Sequence, residues 1–311
     1  MSQLNYDYFI TIVESESMTK AAQKLFVSQP SLSQYLKRLE ANLGVELFDR
    51  SSTHLQLTFA GEQFYQYSKS QIAMEKSMRA QLLDIKNETA GRLRLGIAIW
   101  RGACLLPDVF PAFHKKYPNI QIELFEGRSS QLQSALMNDN LDLIIMNLPH
   151  RISYDQFSTD IIFEEPILLA APTNNSYFSE LIPSCPIRSG YPVVPASCVE
   201  KVPLIITKPG QNLTYEIQNF FLRHNLNPDI LMETGNLTTA INLTAKGICC
   251  TLVPEEGAKV CSHPGKVTYC LLDDPELKWP LAAVYRKGSY LPKLAKYFIT
   301  SLKETLGSHK F

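Results

Sequence analysis

Apolar positions near the amino end repeat with a helical period. Leu32, Leu36, Leu39 and Leu43 recur at spacings of four, three and four, a stripe that must face a core, while Gln29, Ser31, Ser33, Gln34, Lys37 and Arg38 fall on the other faces. Just upstream, Ser17 is placed to cap a helix through Ala21, Ala22 and Leu25, and Ser28 to cap the next one, with Pro30 tolerated in its first turn. A still earlier helix takes one apolar face from Leu4, Tyr8, Phe9, Ile12 and Val13. Beyond Gly44, Val45–Phe48 and His54–Thr58 read as two short extended stretches around a turn of Asp49, Arg50, Ser51 and Ser52. The pattern predicts three helices and a small hairpin in about sixty residues, within the range of a small domain.

The same segment carries candidate chemistry. No acidic residue occurs from Ser17 to Leu39, and the tight break between the two capped helices is the pattern of a helix-turn-helix. Ser and Gln at the start of the second helix can hydrogen-bond base edges and phosphates, Gln pairing in two-pronged fashion with adenine, and Lys37 and Arg38 reach the backbone. The candidate DNA contacts are Met18, Thr19, Lys20, Ser28, Gln29, Pro30, Ser31, Ser33, Gln34, Lys37 and Arg38, with Arg50, Ser51 and Thr53 at the hairpin tip beside phosphate. The competing reading is an amphipathic hairpin whose polar face is merely solvated. Net charge is zero over 311 residues, and residues 1–61 hold five lysines and arginines against six acids. A generic basic patch is excluded, so affinity must come from placed contacts and from doubling in a dimer.

From Phe59 to about Asn87 there is no proline and one early glycine, and Phe64, Tyr67, Gln71, Met74, Met78, Leu82 and Ile85 recur every three or four residues. This predicts a long helix with a narrow seam that pairs with a second copy, Gln71 fixing register. Two heads held this way reach successive major grooves about 34 Å apart, so the preferred site is an interrupted near-palindrome.

A strand at Arg92–Ile99 opens a new domain. There follow a helix at Leu105–Tyr117, a strand at Ile120–Phe125, a helix at Ser130–Met137 and a strand at Leu141–Met146, which implies a parallel sheet covered by helices. The order returns as Val202–Thr207, Leu213–His224, Pro228–Glu233, Leu237–Ala245 and Ile248–Val253, and Tyr117-Pro118-Asn119-Ile120 echoes Asn227-Pro228-Asp229-Ile230 at an offset of 110 residues. Two lobes are therefore expected, joined by crossings at Phe163–Leu169 and Lys266–Leu272, with Trp279–Arg286 and Pro292–Leu306 returning to the first. Open α/β sheets bind ligands beyond the carboxyl ends of their strands. The candidate ligand residues there are Trp100, Arg101 and Gly102, then Arg128 and Ser129, then Asn147, and in the second lobe Asn212, Thr234 and Asn236. Arg101 and Arg128, with helix starts near Ser130 and Asn212, suit a carboxylate or another small anion.

Four motifs in fixed order carry a family resemblance: L-x3-YF (Leu4, Tyr8, Phe9); S-x-T-x-AA-x-x-L-x-VSQP-x-LS (Ser17, Thr19, Ala21, Ala22, Leu25, Val27, Ser28, Gln29, Pro30, Leu32, Ser33); LE-x-x-LG-x-x-LF-x-R (Leu39, Glu40, Leu43, Gly44, Leu47, Phe48, Arg50); and L-x-LT-x-AG (Leu55, Leu57, Thr58, Ala60, Gly61). This order resembles the LysR-type transcriptional regulators, with Gln34 standing where that family often has Arg. The resemblance implies an α/β chain with a winged helix-turn-helix DNA-binding domain at 1–61, a linker and dimerisation helix at 62–90, and an effector-binding domain at 91–311. That last domain resembles periplasmic solute-binding proteins, with lobe I at 91–163 and 270–311 and lobe II at 164–269. It further implies double-stranded DNA, a small-molecule effector, a second copy as homodimer or dimer of dimers, and RNA polymerase as partners, with no cofactor.

An enzyme would need a constellation that is not there: the six histidines are scattered, and HExxH, GxSxG and GxGxxG are missing. Ser17-Met18-Thr19-Lys20 matches SxxK but lacks its SDN and KTG partners, and Ser17 is better explained as a cap. Seven cysteines without CxxC spacing read as buried reduced thiols, the alternative being a redox-sensing regulator using Cys185 and Cys198 in the stretch Pro183–Pro203. A solute-binding protein with no DNA role is the third reading. The start MSQLNYDYF is no signal peptide and no run reaches membrane-spanning length, so the expected location is the cytoplasm.

Overall fold

The computed structural model describes residues 5–49, 55–86, 90–149, 152–261 and 263–307. The chain divides into two compact units, Met1–Lys86 and Asn87–Phe311.

In the first unit, α1 (Tyr6–Ser15), α2 (Met18–Lys24) and α3 (Gln29–Leu43) precede a hairpin of β1 (Phe48–Asp49) and β2 (Gln56–Leu57), followed by α4 (Phe59–Lys86). Both expected caps form: the Ser17 side chain accepts from the Lys20 amide and that of Ser28 from the Ser31 amide at 3.3 Å. Phe9, Ile12, Ala21, Ala22, Leu32, Leu39, Leu47 and Phe48 make the core. The leucine stripe fades at its end, since Leu36 is half-buried and Leu43 is exposed; the helix outruns its core by one turn before Gly44 ends it at φ 71°. Buried Glu40 accepts from the Leu47 amide at 2.8 Å and the Phe48 amide at 3.4 Å, tying the end of α3 to β1. Gly61 lies where a Cβ would meet the Leu47 carbonyl oxygen at 2.0 Å, so α4 starts against the hairpin only without a side chain there.

The long helix forms as expected, but its seam has two parts. Phe64 stacks edge-on against Phe9 at 4.9 Å and Tyr67 against Tyr6 at 5.9 Å, so its first turns belong to the head. Met74, Met78 and Leu82 are 67%, 54% and 57% exposed, leaving the later turns with an uncovered apolar stripe. The side chain of Ile85 lies outside the described residues.

In the second unit, the first lobe runs β3 (Gly91–Ile97), α5 (Ile99–Lys116), β4 (Ile120–Glu126), α6 (Ser129–Met137) and β5 (Leu143–Asn147), then β6 (Phe157–Pro172) leads away. The second lobe holds α7 (Ser176–Leu181), β7 (Ile187–Arg188), β8 (Tyr191–Val194), β9 (Leu204–Thr207), α8 (Asn212–Arg223), β10 (Ile230–Thr234), α9 (Leu237–Thr244), β11 (Cys250–Pro254), α10 (Glu255–Val260) and β12 (Val267–Leu272). Finally β13 (Lys278–Arg286) and α11 (Lys293–Gly307) complete the first lobe.

The sheet order is β10-β9-β11-β6-β13-β5-β3-β4. The expected parallel sheet is in fact mixed: β3 is parallel to β4 and β5, whereas β13 runs antiparallel to both β5 and β6. The reason is β6, which pairs with β13 from Phe157 to Pro166 and with β11 and β12 from Ile167 to Pro172, carrying the chain between lobes inside one strand. The return crossing comes later than Lys266–Leu272. Beyond Pro166, β6 offers two ladder edges, β11 taking one and β12 the other, so residues 270–272 sit in the second-lobe core and the chain crosses back between Leu272 and Lys278. Helix α5 also starts at Ile99, six residues before the expected Leu105, and continues through Pro107 and Pro111. Trp100, Arg101 and Gly102 therefore lie on its first turn and not in a loop, and Ile99 leaves the strand face for solvent.

Candidate functional site

Two sites emerge, one in each unit. On α3, Gln29, Pro30, Ser31, Gln34, Lys37 and Arg38 are exposed while Leu32 and Leu39 are buried, so the polar face points away from the core along the helix. The amino-terminal turn is preorganised: Ser28 Oγ and Ser31 Oγ lie 2.8 Å apart, and Gln29 Nε2 donates to half-buried Ser33 at 3.1 Å. Thr19 and Lys20 are exposed on α2, whereas Met18 packs on the core and offers little to a partner. Arg50, Ser51 and Thr53 lie outside the described residues. The helix is clamped from behind, with Tyr35 Oη donating to the Asn5 carbonyl at 2.7 Å and its ring edge-on to Tyr8 at 5.3 Å. Burial pushes the Tyr35 hydroxyl up to about 12, so it stays a neutral donor.

In the second unit, three of the expected ligand residues meet between the lobes. The Asn212 side chain, at the start of α8, donates to Ser129 Oγ at 3.0 Å and to the Asn147 carbonyl at 3.2 Å, joining the second lobe to the ends of α6 and β5. Thr234 and Asn236 instead spend their side chains locally: Thr234 accepts from the Asn236 amide at 3.1 Å, and Asn236 caps α9 by accepting from the Thr238 amide at 2.9 Å. Arg128 is exposed at the cap of α6, its own amide bonded to the Gln131 side chain at 3.0 Å.

Arg101 corrects the expectation of a cleft-facing cation. It is 2% exposed, and its Nη2 donates to Glu165 Oε1 at 2.6 Å and to Asn147 Oδ1 at 2.5 Å. The other Glu165 oxygen accepts from the Glu256 amide at 3.0 Å, so one buried carboxylate on the crossing strand binds α5 and α10 together. The guanidinium carbon also lies 5.1 Å from the Trp100 ring and 5.8 Å from the Trp279 ring, a cation held by π faces as well as by charge. Arg101 Nε and Nη1 and both indole nitrogens are buried and take no hydrogen bond among the described residues. Trp100 packs on the second-lobe core, so close to α10 that a Cβ on Gly257 would lie 2.3 Å from its ring. Sequence reasoning missed Glu165 because nothing local separates it from its neighbour Glu164; two adjacent acids in the strand stretch Phe163–Leu169 were the available signal.

Four buried thiols sit in poor surroundings for oxidation chemistry. Burial pushes Cys104, Cys198 and Cys270 up to about 12 and Cys250 further still, against the thiolate that reacts. Among the described residues no helix is long and apolar enough to cross a membrane.

Family models match both units of the chain. The family model for the bacterial regulatory helix-turn-helix protein, lysR family, matches residues 5–62, and that for the LysR substrate binding domain matches residues 86–307. The uncharacterized HTH-type transcriptional regulator YcgK of Bacillus subtilis is 27% identical over 307 residues, covering 96% of this chain and 93% of its own. Among solved structures, a full-length OxyR variant from Pseudomonas aeruginosa aligns with a TM-score of 0.71 at 21% identity, covering 97% of this chain and 95% of that one. Full-length CbnR complexed with its target DNA aligns at 0.59 and 20% identity, covering 97% and 99%. At these identities the structures speak for the fold alone. With a capped helix-turn-helix, a two-lobed α/β unit and family models matching both, the chain belongs to the LysR family of DNA-binding transcriptional regulators.

Proposed function

We propose that two copies of this chain, or a dimer of dimers, read a specific duplex sequence through the first turns of α3, under the control of a small molecule held between the lobes. The observation that carries the reading is the capped turn Ser28–Gln34, its apolar side locked in a core while its polar side is exposed. Gln29 and Gln34 are suited to base edges, and Ser28, Lys37 and Arg38 to phosphates. The occupant proposed for the Met74, Met78 and Leu82 stripe is the same helix of a second copy, since the part of α4 from Met74 to Lys86 carries the bare seam over about 20 Å of length.

The proposed effector is a small, oxygen-rich molecule of anionic class. Arg128 supplies exposed charge near the start of α6, and Ser129, Asn147 and Asn212 supply hydrogen bonds whose present cross-lobe pairing a ligand must rearrange. Binding then shifts the balance between lobe arrangements and, through the paired heads, the bend of the DNA and access for RNA polymerase.

Selection from a random duplex pool with the full chain tests the reading. Enrichment of an interrupted near-palindrome is expected, with half-sites spaced by whole helical turns. Recovery of unrelated sequences in proportion to the input pool would contradict it.

A further inference from the structure

The break between α2 and α3 is closed in a way that only certain residues tolerate. The Val27 amide bonds the Ala22 carbonyl at 3.0 Å and the Phe26 amide bonds the Gln23 carbonyl at 3.2 Å, the paired bonds of a Schellman motif. Ala22 and Val27 face the core and fasten the turn. Phe26 takes the left-handed position at φ 54°, where glycine is favoured and an aromatic residue is strained.

The second unit shows what this fold otherwise places there. Helix α6 ends with the same pair of bonds around Asp139, and α8 around Asn225, residue types whose short polar side chains suit that conformation. The remaining left-handed residues other than glycine among the described ones are Glu16 and Ser189. Phe26 is the apolar exception, and it is 96% exposed. The chain therefore accepts backbone strain and a fully solvated aromatic ring at one rigid point, and neither is compensated by packing. That point lies two residues before the Ser28 cap, between exposed Lys24 and exposed Gln29.

We propose that Phe26 is a DNA contact, its ring packing on apolar duplex surface where α3 enters the groove. The surface is a thymine methyl group or the face of a deoxyribose, the two apolar features a duplex offers a side chain there. The inference rests on the DNA-reading role of α3 and adds to it a contact that the polar helix face does not supply.

The test uses the full-length chain and a duplex recovered by selection with the wild type. If the wild type prefers no duplex, the reading of α3 has failed and not this contact. Given a selected duplex, Phe26→Gly is expected to raise the unfolding midpoint, because the left-handed turn is relieved, and to weaken binding about tenfold, with Phe26→Leu in between. Opposite signs in the two measurements are the signature of the contact. Replacing thymine by uracil at single positions separates the sources: a methyl contact weakens wild-type binding at one position and leaves Phe26→Gly indifferent there, whereas a sugar contact leaves every position unchanged. Unaltered affinity of Phe26→Gly overturns the proposal. Loss of both affinity and stability also overturns it, since the ring would then be holding the turn.

Discussion

The two sites are built on opposite principles. On α3 the candidate DNA-reading side chains are mostly exposed and the apolar ones fixed, so a stable core presents polar groups bonded only within their own turn. Between the lobes the polar groups are buried or half-buried and spent on each other, with Arg101, Glu165 and Asn147 closing a network inside the unit and Asn212 bridging to Ser129 and Asn147. A face that reads a rigid duplex gains from preorganised exposed groups. A site that must respond to a ligand gains from bonds that a ligand can exchange. The first kind of site is legible as leftover polarity on a helix; the second is visible only once partners from distant parts of the chain are brought together.

The contrast makes graded predictions. Glu165→Ala leaves the buried Arg101 guanidinium without its counter-charge and is expected to destabilise the second unit by about 3–5 kcal/mol, read by denaturant unfolding. An effect under half that size would mean that the pair is not the fastening described. Gly257→Ala drives a methyl group into the Trp100 ring and is expected to cost about 1–3 kcal/mol while changing tryptophan emission. Trp100 and Trp279 are the only tryptophans in the chain and both flank Arg101, so intrinsic fluorescence reports this site without labels. Ser28→Ala removes one cap from an otherwise intact helix and is expected to cost the first unit about 1 kcal/mol.

The smallest effect lies at the return crossing. Burial raises the Asp274 carboxyl, but Arg223 at 2.6 Å, the Glu276 amide at 2.8 Å and His224 at 3.1 Å outweigh it and hold it below the ordinary 3.8. A carboxyl lowered in the folded state adds stability that is present above its unfolded pKa and is lost as pH falls through the folded one. Wild-type stability should therefore fall more steeply than that of Asp274→Asn on acidification below about pH 4. Parallel curves would show that the cluster contributes nothing.

The head was readable because its signals are local. Caps at Ser17 and Ser28, the leucine period and the Gly44 stop act within a few residues, and each predicted helix formed, while the hairpin strands are shorter than expected, at Phe48–Asp49 and Gln56–Leu57. The second unit was readable in its repeat, since β9, α8, β10, α9 and β11 appear in the expected order. What escaped was set by distant partners. Trp100 to Gly102 look like a loop because glycine follows an alternating strand, yet α5 begins before them, positioned by packing on β3 and α10. Arg101 looks like an exposed cation until Glu165, 64 residues away, is found beneath it. The mixed sheet follows from β6 belonging to both lobes, which no period within the strand encodes.

Under the proposed function, the amino-terminal turn of α3 distinguishes one base order from another. Its most direct test is the affinity of wild-type chain and Gln29→Ala for the selected duplex and for a scrambled duplex of equal length at one salt concentration. Gln29→Ala is expected to lose about ten- to hundredfold on the selected duplex and almost nothing on the scrambled one, collapsing the ratio with folding unchanged. Equal loss on both duplexes, or none on either, would contradict it.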